Sequence, residues 1–142
     1  MRESRIARFR TVMTGEIFGL LKTHSILSPQ LQQEAAADDA FAQGVSEALA
    51  GEAPLAGLFG IRARHLLGRG EPNGASYASG LLIGADLRAG LDLHEDGPIG
   101  LVGRSDLRAL YAAALAGTGR GTIEVDGSEA FLAGIRLLTE AL

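Results

Sequence analysis

The 142-residue chain has no cysteine and no tryptophan, and only five phenylalanines and two tyrosines. Without thiols there is no disulfide, no thiolate nucleophile and no zinc-thiolate centre, and three histidines are too few for an imidazole cage. No apolar run approaches the roughly 18 residues that a membrane-crossing helix needs. Basic residues are scarce as well: 13 Lys and Arg stand against 17 Asp and Glu, a formal charge of −4 that disfavours a nucleic-acid partner. Four of those cations, Arg2, Arg5, Arg8 and Arg10, lie beside Glu3 at the start of the chain, leaving −7 on the other 132 residues. A basic patch this short reads as a solvated strand face rather than a binding arm. No apolar stretch follows it, so neither signal peptide nor anchor is expected and the cytoplasm is the default location. The length suits one compact domain.

Glycine is what the chain has in excess, 20 residues, about twice the usual share. Arg5 to Met13 (RIARFRTVM) reads as a strand, with Thr14 as N-cap of a helix that carries Glu16 in its first turn and ends near His24. Ser28-Pro29 breaks it. Ala35 to Leu49 reads as a helix with a Phe41, Val45, Leu49 stripe, and Pro54 opens another carrying Leu55, Leu58, Phe59, Arg62 and Leu66. Gly68 to Gly74 is a turn cluster, Ser76 to Ala89 a further helix, and Gly90 its end. Then a pattern repeats. Pro98 to Val102 is a short strand and Ser105 caps a helix through Leu115; Thr122 to Val125 is a second strand and Ser128 caps a helix bearing Phe131, Ile135, Leu138 and Leu142. Strand, helix, strand, helix predicts two parallel neighbours and an α/β layer.

Several constellations could carry chemistry. Ile99-Gly100-Leu101-Val102-Gly103-Arg104-Ser105 is a strand feeding a glycine turn and a helix start, where free amides can meet a nucleotide or another anion; the same turn also serves any α/β unit. Neither a P-loop ending nor a G-x-G-x-x-G fingerprint is present. Gly80 and Gly84, with Ser76 on the same stripe, leave one helix face nearly bare, against a neighbouring helix or strand or against a flat ligand. Met13-Thr14-Gly15-Glu16 leaves Gly15 unexplained, since glycine in a first turn is a cost unless backbone must face something. No Ser, His and Asp set is spaced as a triad, and His24, His65 and His94 sit in unrelated contexts. Asp92, Glu95 and Asp96 read as a solvated acidic loop rather than a metal site.

Five stretches carry a family resemblance: RFRTVMTGEIFGLLKTHSIL (Arg8 to Leu27), FAQGV (Phe41 to Val45), LFGIRARHLLG (Leu58 to Gly68), YASGLLIGADL (Tyr77 to Leu87) and IGLVGRSDLRALYAAAL (Ile99 to Leu115). In matching order they closely resemble the C-terminal part of the 2-keto-3-deoxygalactonokinase family, sugar-acid kinases of the actin, hexokinase and Hsp70 superfamily. The resemblance implies an RNase H-like α/β lobe over residues 1–142, with a partial sheet and several helices. The family's N-terminal lobe, with its phosphate-binding hairpin and catalytic Asp, has no counterpart here, nor has its P-G-T-H-S-K segment. It further implies ATP with Mg2+, and phosphorylation of the 6-hydroxyl of 2-dehydro-3-deoxy-D-galactonate in galactonate breakdown.

By that resemblance Gly103, Arg104 and Ser105 match the superfamily's adenosine motif, with Arg104 over the adenine face. Thr14 and Gly15 face the cleft near the terminal phosphate, and Gly80 and Gly84 lie beneath the nucleotide. No catalytic residue is expected in this chain, so weak ATP binding without turnover is. The partner is a small sugar acid, with no nucleic acid or membrane. A rival expectation is a non-catalytic interaction or oligomerisation module, in which the opening strand is an exposed edge that pairs with a second copy to form a homodimer.

Overall fold

Thr14–His24 forms the first helix, α1, ending where predicted but starting at Thr14 rather than after it, with Glu16 in its first turn. It belongs to a computed structural model that describes residues 8–91 and 97–140. Ser28–Gln30 makes one 3-10 turn at the expected Pro29 break. Three helices follow: α2 (Asp39–Ala50), α3 (Pro54–Leu66) and α4 (Gly74–Leu91). The chain then alternates through β1 (Ile99–Gly103), α5 (Ser105–Ala116), β2 (Thr122–Asp126) and α6 (Gly127–Glu140). β1 and β2 pair in parallel, Ile99 opposite Thr122 and Gly103 opposite Asp126, as the repeated strand-helix pattern predicts. No helix among the described residues is long and apolar enough to cross a membrane.

The chain divides into two units, Met1–Glu95 and Asp96–Leu142, rather than sharing the single core its length suggests. In the first unit α4 is buried on every side from Gly74 to Gly84, because its sequence is apolar or small all round. Around it lie Leu27, Leu31, Leu58 and Ile61, with Ile17 and Phe18 of α1 against their edge. α2 and α4 meet almost backbone to backbone, with the Ala48 methyl the side chain facing Gly84. A β-carbon on Gly44 would run into the backbone of Tyr77 and Leu81, one on Gly80 into the Phe41 carbonyl, and one on Gly84 would stand 2.9 Å from the Val45 carbonyl oxygen. The stripe of Gly80 and Gly84 is therefore filled by a helix.

Caps lock this pair at one end. Asp38 Oδ1 accepts from the Phe41 amide at 3.0 Å and starts α2, while Asn73 Oδ1 accepts from the Ser76 amide at 3.1 Å and starts α4. The buried Ser76 hydroxyl donates to Asp38 Oδ2 at 2.9 Å and accepts from the Ala36 amide at 3.0 Å, so both caps share one network. At its side Tyr77, 1% exposed, donates its hydroxyl to Glu47, and the Arg64 guanidinium lies 5.0 Å from the centre of its ring while pairing with Glu71. Burial, reinforced by the Glu47 carboxylate, pushes the Tyr77 phenol up to about 12.

Some expectations are corrected. Residues 8–13 form no strand, and Phe9 is 85% exposed. A segment without a neighbouring strand leaves its amides to water, so β-branched and aromatic content alone does not make one. Residues 1–7, with Arg2 and Arg5, lie outside the described residues, as do Asp92, His94, Glu95, Asp96 and Leu142. The edge invoked for a homodimer is thus not formed by residues 8–13. In α3 the inward residues are Leu58 and Ile61, whereas Leu55, Phe59 and Leu66 are exposed. α6 buries nothing, and Phe131, Ile135 and Leu138 stand in solvent. Ala114 and Leu115 are the buried apolar residues of the second unit among those described.

Two outcomes follow from this arrangement. Gly80→Ala should destabilise the first unit by about 1–3 kcal/mol in urea unfolding, because backbone cannot yield as a side chain can. Gly134→Ala in α6, where a β-carbon has open space, should be neutral or stabilising by up to about 1 kcal/mol. The phenol of Tyr77 is raised from 10.0, so its contribution is whole below pH 10 and disappears as pH climbs through 12. Tyr77→Phe should flatten the loss of stability measured across that window.

Candidate functional site

In the second unit, parallel pairing brings the carboxyl ends of β1 and β2 to one edge, and α5 and α6 both begin there. A cavity of about 550 Å3 opens at that edge, lined by Gly103, Arg104, Ser105 and Asp106 from the first corner and Asp126, Gly127 and Ser128 from the second. A second hollow of about 300 Å3 runs along β1 from Gly100 to Gly103 under Leu107, Arg108 and Tyr111. Gly103 borders both, and nothing lies within 4 Å of where its β-carbon would stand. At Gly127 the situation is reversed: a β-carbon would sit 3.1 Å from Gly103 Cα, so bare main chain passes bare main chain between the corners. In open α/β sheets ligands collect at this edge, outside the carboxyl ends of the strands.

The two helix starts differ. Asp126 Oδ1 accepts from the amides of Ser128 and Glu129 at 2.9 and 3.2 Å and so caps α6. Ser128, expected as that cap, lies inside the helix instead, because the aspartate one residue before the helix reaches the free amides first. α5 starts from Arg104 with no side-chain cap, Ser105 being its first helical residue rather than the cap its hydroxyl suggested. Arg104 Nη2 donates to Asp106 at 3.1 Å, an exposed pair that places a carboxylate in the first turn of α5 without a side-chain cap on its amides. The unpaired N–H groups of that turn, with the helix dipole behind them, favour an anion.

The expected site residues thus fall into two sets. Gly103, Arg104 and Ser105 share the cavity of the second unit. Thr14, Gly15 and Gly84 belong to the first. Thr14 is the first residue of α1, not its cap; Met13 holds that place without a side-chain bond, and the Thr14 hydroxyl donates to the Asp86 carboxylate on α4. Its one proton is committed there, so toward a phosphate it offers no donor. Gly15 is exposed with open space around it. Gly84 is covered by α2. Asp106, Asp126, Gly127 and Ser128 line the same cavity without being among the expected site residues, although the repeat of a valine, two turn residues, a serine and an acid in both strand-helix units is a signal for them.

The family model for 2-keto-3-deoxy-galactonokinase matches residues 1–138. The chain belongs to the 2-keto-3-deoxy-galactonokinase family. It is 39% identical over 140 residues to the 2-dehydro-3-deoxygalactonokinase of Escherichia coli K12, across 97% of this chain and 48% of that protein. Against DgoK1 of Rhizobium meliloti, described as a probable 2-dehydro-3-deoxygalactonokinase, identity is 34% over 147 residues, 99% of this chain and 48% of the relative. A crystal structure from Sinorhizobium meliloti, described as a candidate 2-dehydro-3-deoxygalactonokinase, superposes with a TM-score of 0.85 at 34% identity, covering 94% of this chain and 46% of that one. The chain spans about half the length of these galactonokinase-family relatives.

The Thr14–Asp86 bond ties α1 to α4 in the first unit of this family member. Thr14→Val should cost about 1 kcal/mol and speed amide exchange in α1, whereas Thr14→Ser should keep the bond and the protection. Amide exchange followed by NMR separates the two variants.

Proposed function

We propose that this chain is the nucleotide-binding C-terminal lobe of a sugar-acid kinase, which phosphorylates the 6-hydroxyl of 2-dehydro-3-deoxy-D-galactonate with ATP. The observation that carries the reading is the corner where β1 and β2 end, with a wide cavity, a bare Gly103 and an uncapped α5. Family membership supplies the reaction class, and the corner supplies chemistry suited to one part of it. Amides at the start of α5 attract phosphate oxygens. Bare backbone at Gly103 lets a sugar or base lie against the main chain. The Arg104 guanidinium, with 81% of its side chain exposed, is free to close over a purine face.

Thr14 and Gly15 enter this reading by themselves, at the start of α1 in the first unit, where the Thr14 hydroxyl fixes that turn through Asp86. Gly84 enters only by setting the distance between α2 and α4. The RNase H-like lobe belongs to the same proposal: further strands beside β1 and β2 would bury the apolar residues that α6 leaves in solvent. Transfer forms a bond from the sugar oxygen to the terminal phosphorus, breaks the bond to the ADP oxygen, and passes the hydroxyl proton to a base. That base is assigned to the half of the relatives that this chain does not span.

Mg2+ would neutralise phosphate charge during such a transfer. The described residues contain no group of three or more His, Asp or Glu able to hold a metal. They do not fit a protein-bound ion, and no step here is routed through one.

The test is a pair of measurements on the 142-residue chain. ATP and ADP should bind weakly and saturably in calorimetry, while 2-dehydro-3-deoxy-D-galactonate with ATP should give no phosphorylated product. Co-expression with the unspanned half of the Escherichia coli relative should restore product formation. Efficient turnover by the chain alone would contradict the assignment of the base.

A further inference from the structure

We propose that the hollow between the 3-10 turn, α3 and the start of α4 is a binding site for a small neutral polyol, held through Gln30 and Glu71. The inference concerns the first unit alone and does not rest on the nucleotide reading. A cavity of about 180 Å3 opens there, with Pro29, Ile61 and Pro72 as apolar walls and Gln30, His65 and Glu71 as polar ones. Two acceptors on these residues are buried without a hydrogen-bond partner in the protein, Gln30 Oε1 and Glu71 Oε2. The Glu71 side chain is only 8% exposed, so its spare oxygen is not placed to meet bulk water. Leaving a buried acceptor unfilled is costly. Two of them, from separate segments around one hollow, point to an occupant that carries donors.

The surroundings hold both acceptors in place. A β-carbon on Gly74, the first residue of α4, would stand 2.6 Å from the Gln30 backbone oxygen, so the 3-10 turn is pressed against that helix start. Glu71 is fixed through its other oxygen, which accepts from Arg64 Nε. Arginine and a carboxylate commonly meet through two parallel bonds. Here Oε2 is left out, and the guanidinium lies over the Tyr77 ring, outside the cavity lining. Size and charge then narrow the occupant. At about 30 Å3 per water the cavity has room for about six waters, well short of the roughly 300–1,000 Å3 of clefts for drug-sized ligands, which excludes a nucleotide. A carboxylate beside an amide oxygen repels an anion. The Glu71 charge is already matched by Arg64, and among the described residues no three His, Asp or Glu gather to hold a metal, so a cation gains little. An uncharged molecule with adjacent hydroxyls meets what is left: its donors reach Gln30 and Glu71, the second bond being charge-assisted, and its carbon skeleton lies on the proline and isoleucine walls.

Amide shifts of the 15N-labelled chain, titrated separately with erythritol, with its acid erythronate and with potassium chloride, test this. Erythritol should give saturable shifts at Gly70, Glu71, Gly74 and the Gln30 side-chain amide with one midpoint. Erythronate should bind about tenfold more weakly, the loss of one hydrogen bond to a charged group. Gln30→Met keeps the length of the side chain, removes its acceptor and leaves the Arg64–Glu71 pair intact; it should weaken erythritol about fivefold without lowering the thermal unfolding midpoint of the free chain. Glu71→Gln should weaken erythritol about tenfold and close the gap to erythronate; if that variant unfolds, Gln30→Met alone decides. No saturable shift with erythritol, tighter binding of potassium or erythronate, or undiminished affinity in Gln30→Met overturns the inference and leaves ordered water as the partner of both acceptors. The nucleotide reading stands or falls separately, by its own titration.

Discussion

Contact of bare backbone between α2 and α4 is the constraint on which the first unit depends. Where Gly44, Gly80 and Gly84 meet the opposing helix, neither can carry a β-carbon without moving the other. Helices this close bury main chain as well as side chains, and α4 becomes a central rod with apolar or small residues in every direction. The remainder of the unit is hung on that rod. α1 is tied to it through Thr14 and Asp86, α3 lays Leu58 and Ile61 against it, and Tyr77 turns its hydroxyl outward to Glu47. A buried phenol held neutral in this way adds specificity without a buried charge.

The second unit is built on a different economy. Its two strands and two helices bury few side chains, and its defining feature is an edge rather than a core. Parallel strands have their carboxyl ends together, and each hands its chain straight to a helix. Two positive helix starts are thereby set side by side, and the molecule treats them unequally: one is capped by Asp126, while the other has no side-chain cap and carries Asp106 in its first turn. The asymmetry gives the cavity a direction.

Much of this was legible in the residues. Pro54, Asn73-Gly74, Gly103-Arg104 and Asp126-Gly127 punctuate the chain where elements do begin or end, and the repeated strand-helix grammar after Pro98 gave the parallel pair. Family membership could be read from blocks such as MTGE-F and SGLLIGA-L, and in the second of them Gly80 and Gly84 are held by close contact with α2. What escaped notice depended on three-dimensional choice. Thr14, Ser105 and Ser128 all have hydroxyls able to cap, yet Met13, Arg104 and Asp126 took the cap positions, one of them because a longer acid reached the amides first. Residues 8–13 have strand composition but no strand to pair with. The apolar residues of α3 and α6 announce helices correctly, but their periodicity picks the wrong face of α3, and it does not say what, if anything, covers α6.

The central claim, that the corner at the ends of β1 and β2 receives a nucleotide, is tested most directly by mapping amide chemical shifts of the 15N-labelled chain during ATP addition. The account predicts saturable shifts centred on Gly103, Arg104, Ser105 and Asp106, with Gly127 responding at the same midpoint. Shifts confined to other segments, or none at ATP concentrations well above those in cells, would contradict it.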